Sequence, residues 1–184
     1  MIRGKYVTLR GLELIDAPEI VRRYNDLEVR RFLLSVVPIS LEEERDRIKR
    51  SWELRRKGEY YMFGIELNKP KRLIGTCGLE RVSHIHRRAE VSIAIFNKTY
   101  WDQGLGTEAT QLLLHFGFNL LNLHSIWLAV FEDNRRAQHI YGKVGFQRVG
   151  TRRQAIFRDG RYIDMYLYDI LAEEYRHQLE RGTA

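Results

Sequence analysis

The order of apolar and polar positions lays out a series of short elements. Val7–Arg10 reads as a strand. Ile20, Val21, Tyr24 and Leu27 then recur at helical spacing behind Asp16, Ala17 and Pro18, a helix start with proline in its first turn. Ser40 with Glu43 three residues on is a capping box, and it opens a highly charged helix to about Lys57. The period then changes from helical to alternating. Met62–Leu67 and Arg72–Leu79 read as two strands joined by a turn at Asn68–Pro70. Ala89–Phe96 alternates Val91, Ile93 and Ile95 against Glu90, Ser92 and Ala94. Leu105, Ala109, Leu112, Leu113, Phe116 and Leu120 stripe a helix over Leu105–Leu121. Ser125–Phe131 is an apolar strand, and Asn134–Val144 a helix with Ala137, Ile140, Tyr141 and Val144 on one side. Phe146–Phe157 and Tyr162–Ile170 form a hairpin around Asp159–Gly160. Ala172–Ala184 reads as a short polar helix that frays.

Runs of strands with helices inserted predict an α+β, or mixed α/β, domain instead of a regular alternation of strand and helix. At 184 residues, with no repeat or Gly/Ser/Pro linker, one domain over 1–184 is expected. No apolar run approaches the roughly 18 residues of a membrane span, and Met1–Arg10 has no apolar signal core. Cys77 is the only cysteine, which rules out an internal disulfide and fits a reducing, cytoplasmic setting. The histidines are scattered, with His84 and His86 the one close pair, so no metal site is expected.

The richest stretch in chemistry is Trp101-Asp102-Gln103-Gly104-Leu105-Gly106-Thr107-Glu108-Ala109, between a strand and a strongly patterned helix. Two glycines one residue apart let the backbone turn tightly and approach a ligand closely. The first amides of the following helix lack internal partners, and with the helix dipole they suit a pyrophosphate. A plain strand-to-helix turn is the alternative. Gly104, Gly106 and Ala109 also match a dinucleotide fingerprint, with Glu132 near the end of the next strand. Three preceding strands and a closing hairpin are the wrong context for that fold.

Four further segments extend the pattern: Ala89-Glu90-Val91-Ser92-Ile93, Glu132-Asp133-Asn134-Arg135-Arg136-Ala137, Tyr141-Gly142-Lys143-Val144-Gly145-Phe146, and Phe157-Arg158-Asp159-Gly160-Arg161-Tyr162 followed by Asp164. Together with the glycine loop, in this order and spacing, they resemble the GCN5-related N-acetyltransferase (GNAT) superfamily. The nearer likeness is to its RimJ/RimL-like branch of ribosomal-protein alanine acetyltransferases. The wider superfamily has Arg or Gln where this chain has Trp101, whereas the branch often has an aromatic there. The change leaves backbone amides as the main pyrophosphate ligands.

The resemblance implies a mostly antiparallel sheet flanked by helices and splayed between the family's fourth and fifth strands, here Ala89–Phe96 and Ser125–Phe131. It implies acetyl-CoA as co-substrate, an amine acceptor and direct transfer in a ternary complex. The expected cofactor contacts are Ile93, Ala94, Ile95, Gln103, Gly104, Leu105, Gly106, Thr107, Asn134, Ala137 and Tyr141. A strand bulge around Ile93–Ile95 is expected to present a backbone N–H to the acetyl carbonyl. Tyr141 matches the family's proton donor to the leaving sulfur, a role open to a group with a pKa near 10; its place on an apolar stripe also fits a core residue. Asn134 is either an N-cap or a contact to the pantetheine arm. Glu90 is the candidate base, on one face with Ser92 and Ala94 if the strand alternates; a solvated edge carboxylate, or water as the base, is the alternative. Glu108 reads as a helix-surface or capping contact, and Cys77 as a buried structural thiol.

Asp16–Lys57 and Phe146–Ile170 surround the acceptor in the resemblance, with Arg31–Ser35 and Ser83–Arg88 as candidate walls. A peptide N-terminus, a polyamine, an amino sugar and an aminoglycoside all stay open. So does a non-catalytic acyl-CoA sensor on the same fold. A net charge of +7 raises nucleic-acid binding, but the excess is spread out and interleaved with acid, as in Glu42–Arg47. No nucleic-acid or membrane partner is expected. A homodimer is the commonest assembly for such a chain.

Overall fold

The computed structural model describes residues 1–35 and 37–182. Eight strands, β1 (Ile2–Arg3), β2 (Val7–Arg10), β3 (Tyr61–Leu67), β4 (Arg72–Ser83), β5 (Arg88–Ile95), β6 (Ser125–Phe131), β7 (Gln147–Arg158) and β8 (Arg161–Leu171), make one sheet ordered β1-β2-β3-β4-β5-β6-β8-β7. Among the described residues six α-helices flank it: α1 (Ala17–Tyr24), α2 (Leu27–Arg30), α3 (Leu41–Lys57), α4 (Leu105–His115), α5 (Arg135–Lys143) and α6 (Ala172–Glu180). The expected mixed architecture is thus present. Of the terminal helix, residues 183–184 lie outside the described residues.

Every neighbouring pair is antiparallel except β5 and β6. That parallel pair is joined only through Arg88↔Ser125, Ala89↔Ile126 and Glu90↔Trp127. Beyond Glu90 the strands part, at the place where the resemblance put the splay. β5 pairs with β4 in unbroken register from Gly75↔Ile95 to Glu80↔Glu90. The bulge expected near Ile93–Ile95 is absent from that pairing. The register instead shifts between Glu80 and Ser83 on β4. Alternation in β5 therefore holds, and Glu90, Ser92 and Ala94 share one face.

Hydrophobic burial fixes both layers. On one face Leu79, Leu113, Leu114, Ile126 and Leu128 pack with Tyr141 and Tyr175 from α5 and α6. Leu113 and Leu114 have no exposed surface, each contributing about 1.5–3 kcal/mol of transfer free energy. On the other face, α1 and α3 close Ile20 and Ile48 over Met62, Leu73 and Phe96. α3 starts at the anticipated box: the Glu43 N–H donates to Ser40 Oγ at 3.2 Å and the Ser40 N–H to Glu43 Oε2 at 2.6 Å. It stops at Gly58, whose φ of 74° is the left-handed conformation that ends helices.

One helical expectation changes in detail. Leu105–Leu121 is not one α-helix, because Phe116–Leu120 winds into a π turn. A Cβ on Gly117 would sit 2.6 Å from Ile126 Cδ1, so the turn presses its backbone directly onto the sheet. Asp16 precedes α1 but does not cap it; Arg10 takes both of its oxygens at 2.8 Å. No helix among the described residues is long and apolar enough to cross a membrane.

Candidate active site

A cavity of 570 Å³ opens where β5 and β6 diverge. Ile93, Ala94 and Ile95 form its strand wall, Gly104, Gly106 and Thr107 its loop wall, and Asn134, Ala137, Ile140 and Tyr141 its α5 wall. Nine of the eleven residues expected to hold the cofactor therefore come together, from three separate elements.

The loop geometry follows from its sequence. Gly104 has φ +77°, which a side-chain-bearing residue seldom adopts, and it swings the chain into α4. Bonding within α4 begins with Glu108 N–H to Gly104 O at 3.0 Å. The amides of Leu105, Gly106 and Thr107 thus have no intrahelical acceptor at the positive end of the dipole. An anion at this position meets both. Gly106 has Ile140 Cδ1 only 3.1 Å from where a Cβ would lie, so a larger residue would crowd the loop against α5.

Trp101 closes the loop against the strand. Its indole N–H donates to the Ile95 carbonyl at 2.6 Å. Arg136 lies over its ring, 4.1 Å from the centroid, and donates to both Asp102 oxygens at 2.9 and 3.2 Å. The guanidinium thereby balances a carboxylate standing in a phosphate-type loop. Arg135, His139 and Lys143 continue a basic edge along α5. Spacing of four residues put these three on one helix face, a signal legible in sequence but overlooked. Phe32 reaches the cavity from the loop after α2. That loop is held by Arg158, which donates to the carbonyls of Arg31 and Leu33, the latter at 2.7 Å.

Tyr141 is 7% exposed, edge-on to Phe146 at 5.7 Å, and lines the cavity. Its hydroxyl has no hydrogen-bond partner among the described residues, and burial pushes its pKa up. It is both core and cavity wall, so the two readings coexist. Asn134 also fills both roles offered for it: its Oδ1 accepts from the Ala137 N–H at 3.2 Å while the residue lines the cavity.

Three expected residues stand elsewhere. Leu105 is 6% exposed and belongs to the core under the sheet. Gln103 donates to the Thr99 carbonyl at 2.7 Å, bracing the loop from outside. Glu90 is off the cavity, on the α1–α3 face of β5, with Arg81 Nη1 donating to its Oε2 at 2.5 Å. Burial raises the Glu90 carboxyl, the Arg81 charge pulls it back, and Glu80 adds to the rise; the balance is upward.

Other candidates have structural work. Glu108 accepts the Tyr6 N–H at 3.0 Å on each oxygen and ties α4 to the β1–β2 turn. Cys77 is buried, and burial alone raises its thiol well above the usual range. His84 meets the Gly58 carbonyl at 2.9 Å. Among the described residues no cluster of His, Cys, Asp and Glu is arranged to hold a metal ion.

The model of the acetyltransferase (GNAT) domain matches residues 7–147. An uncharacterized N-acetyltransferase p20 of Bacillus licheniformis is 31% identical over 170 residues, 92% of this chain and 94% of that protein. The spermidine N(1)-acetyltransferase of Escherichia coli K12 is 37% identical over 101 residues, 55% of this chain and 54% of that protein. Among solved structures, spermidine N-acetyltransferase from Vibrio cholerae in complex with CoA and spermine superposes with a TM-score of 0.83. It is 29% identical, over 92% of this chain and 98% of that one. Mycobacterium smegmatis RimJ, in complex with CoA-disulfide, shares the fold with a TM-score of 0.84 at 21% identity, over 96% of this chain and 90% of that one. With a splayed sheet and a glycine loop at the head of α4, and with these relatives, the chain belongs to the GNAT family of acetyltransferases, enzymes whose acetyl donor is acetyl-CoA.

Proposed function

We propose that residues 1–184 form one acetyltransferase unit that moves the acetyl group of acetyl-CoA directly to a primary amine in a ternary complex. The observation carrying this reading is the cavity itself, which joins the free amides at the start of α4 to the parted edge of β5 and to the Tyr141 hydroxyl. The pyrophosphate sits on the amides of Leu105, Gly106 and Thr107. The pantetheine arm runs between β5 and β6, along Ile93, Ala94 and Ile95 on one side and Asn134 and Ala137 on the other. Gln103 supports the loop from behind.

The amine nitrogen attacks the thioester carbon, the carbon–sulfur bond breaks, and Tyr141 gives its proton to the departing thiolate. Raised by burial, the Tyr141 hydroxyl is fully protonated at neutral pH and suited to that step. Glu90, off the cavity on the α1–α3 face and with its carboxyl raised by burial, receives the proton that the amine sheds by way of water. The acceptor is a protein N-terminus or a small amine. The named activity of the spermidine-acetylating relatives puts polyamines first in the panel.

The test is release of free CoA thiol from acetyl-CoA with polyamines, peptides with free N-termini and amino sugars. Acetylated product with one class, at a rate rising with its concentration, is the expected outcome. CoA binding without thiol release across the panel overturns it in favour of an acyl-CoA sensor.

A further inference from the structure

We infer that Glu80 and Arg81, adjacent in β4, are opposed positioning residues for Glu90, together holding its carboxyl at the balance between taking and keeping a proton. Glu80 stands directly opposite Glu90 in the β4–β5 register, so the two carboxylates leave the sheet side by side. Among the described residues the Glu80 carboxylate has neither a hydrogen bond nor an ion pair. Regular alternation would send Arg81 to the other face. The register shift between Glu80 and Ser83 prevents that, and Arg81 adopts φ +51°, uncommon for any residue but glycine. The bulge re-aims the side chain, and its Nη1 reaches Glu90 Oε2 at 2.5 Å. A backbone irregularity therefore places one cation and one anion of the same strand on the same carboxyl.

The other groups around Glu90 leave these two in control. Arg88 lies two residues away on its own strand. Trp127, its register partner in β6, is uncharged, and Asp169 is the next residue across, in β8. From the helical side Arg47, Arg50, Glu59 and Tyr60 share a groove with Glu80 and Arg81, and the half-buried Tyr24 bonds through its hydroxyl to Thr76. The direction of the Glu90 carboxyl agrees: Arg81 lowers it and Glu80 raises it.

For its catalytic consequence this inference rests on Glu90 as the amine's proton acceptor, and the experiment separates the two. The Glu90 side-chain carbon is titrated by NMR in the full chain without substrate, with Glu90→Gln assigning the signal. Glu80→Gln moves the midpoint down and Arg81→Met moves it up, each by about half to one pH unit. The double variant returns near the parent, and Arg81→Lys stays close to it. A midpoint unmoved in either single variant, or moved the same way in both, overturns the inference. If one variant does not fold, the sign of the other decides. The acid limb of kcat/KM then follows the NMR midpoints. Midpoints that shift while the limb stays fixed support the positioning pair and overturn Glu90 as the base.

Discussion

The Trp101 indole N–H reaches across 2.6 Å to the carbonyl of Ile95, joining the glycine loop ahead of α4 to the free edge of β5. One side chain thus sets the spacing between two walls of the cavity. A tryptophan in place of a basic residue removes a charge from the loop but adds this brace.

Trp101→Phe keeps the apolar bulk and loses the brace. A hydrogen bond of about 1 kcal/mol corresponds to roughly a fivefold loss. The KM for acetyl-CoA rises by about that factor while kcat changes little, as initial rates over a range of donor concentrations will register.

Arg136 and Asp102 form a charge pair beside the proposed pyrophosphate site, and removing either member has a predictable sign. Arg136→Ala leaves an unbalanced carboxylate near the pyrophosphate and weakens acetyl-CoA by about tenfold. Asp102→Asn removes that carboxylate, and asparagine accepts the φ of +59° found there, so binding tightens. The double variant lies between the two. Calorimetry at two salt concentrations checks all three, with the Arg136→Ala loss shrinking at high salt.

Tyr141→Phe tests the proton donor. Its ring packing against Phe146 is preserved, so stability and donor affinity hold. Turnover falls by about 10²–10⁴ if the hydroxyl protonates the sulfur. Single-turnover rates report this, and an unchanged rate removes Tyr141 from the mechanism.

Acid stability depends on Arg10 and Asp16. Burial works to raise the Asp16 carboxyl, but the two Arg10 hydrogen bonds and the Glu13 N–H outweigh it, and the carboxyl is held below its usual range. A lowered folded-state pKa means the stabilisation is fully present above the unfolded value near 4 and fades as pH falls through the folded one. Asp16→Asn costs about 1–3 kcal/mol at pH 7. Urea melts at pH 7 and at the acid end will show the variant and parent converging as the pH drops.

Long, strongly patterned segments were legible in the chain. Val91, Ile93 and Ile95 alternated in sequence and do so in β5, and the Asp159–Gly160 turn sits between β7 and β8. The glycine loop carried its own chemistry, since positive φ at Gly104 is what glycine there is for. Features made by distant partners were not legible. The two residues of β1 are a strand only because Leu9 and Thr8 pair with them. Arg81 bulges because of how β4 meets β5. Leu105 sat inside a cofactor motif, yet its side chain answers to the helix stripe and goes to the core. The rim of Arg135, His139 and Lys143 is readable from their spacing of four residues alone.

The three rungs that join β5 to β6 make the sheet two plates fastened at one corner. Anything lying in the open seam bridges them along its length and stiffens one against the other. Loading of the seam is therefore expected to be felt at the far hairpin and at the β1–β2 turn, as slower amide exchange in places that touch no ligand. Release of the spent donor is expected to reverse that stiffening.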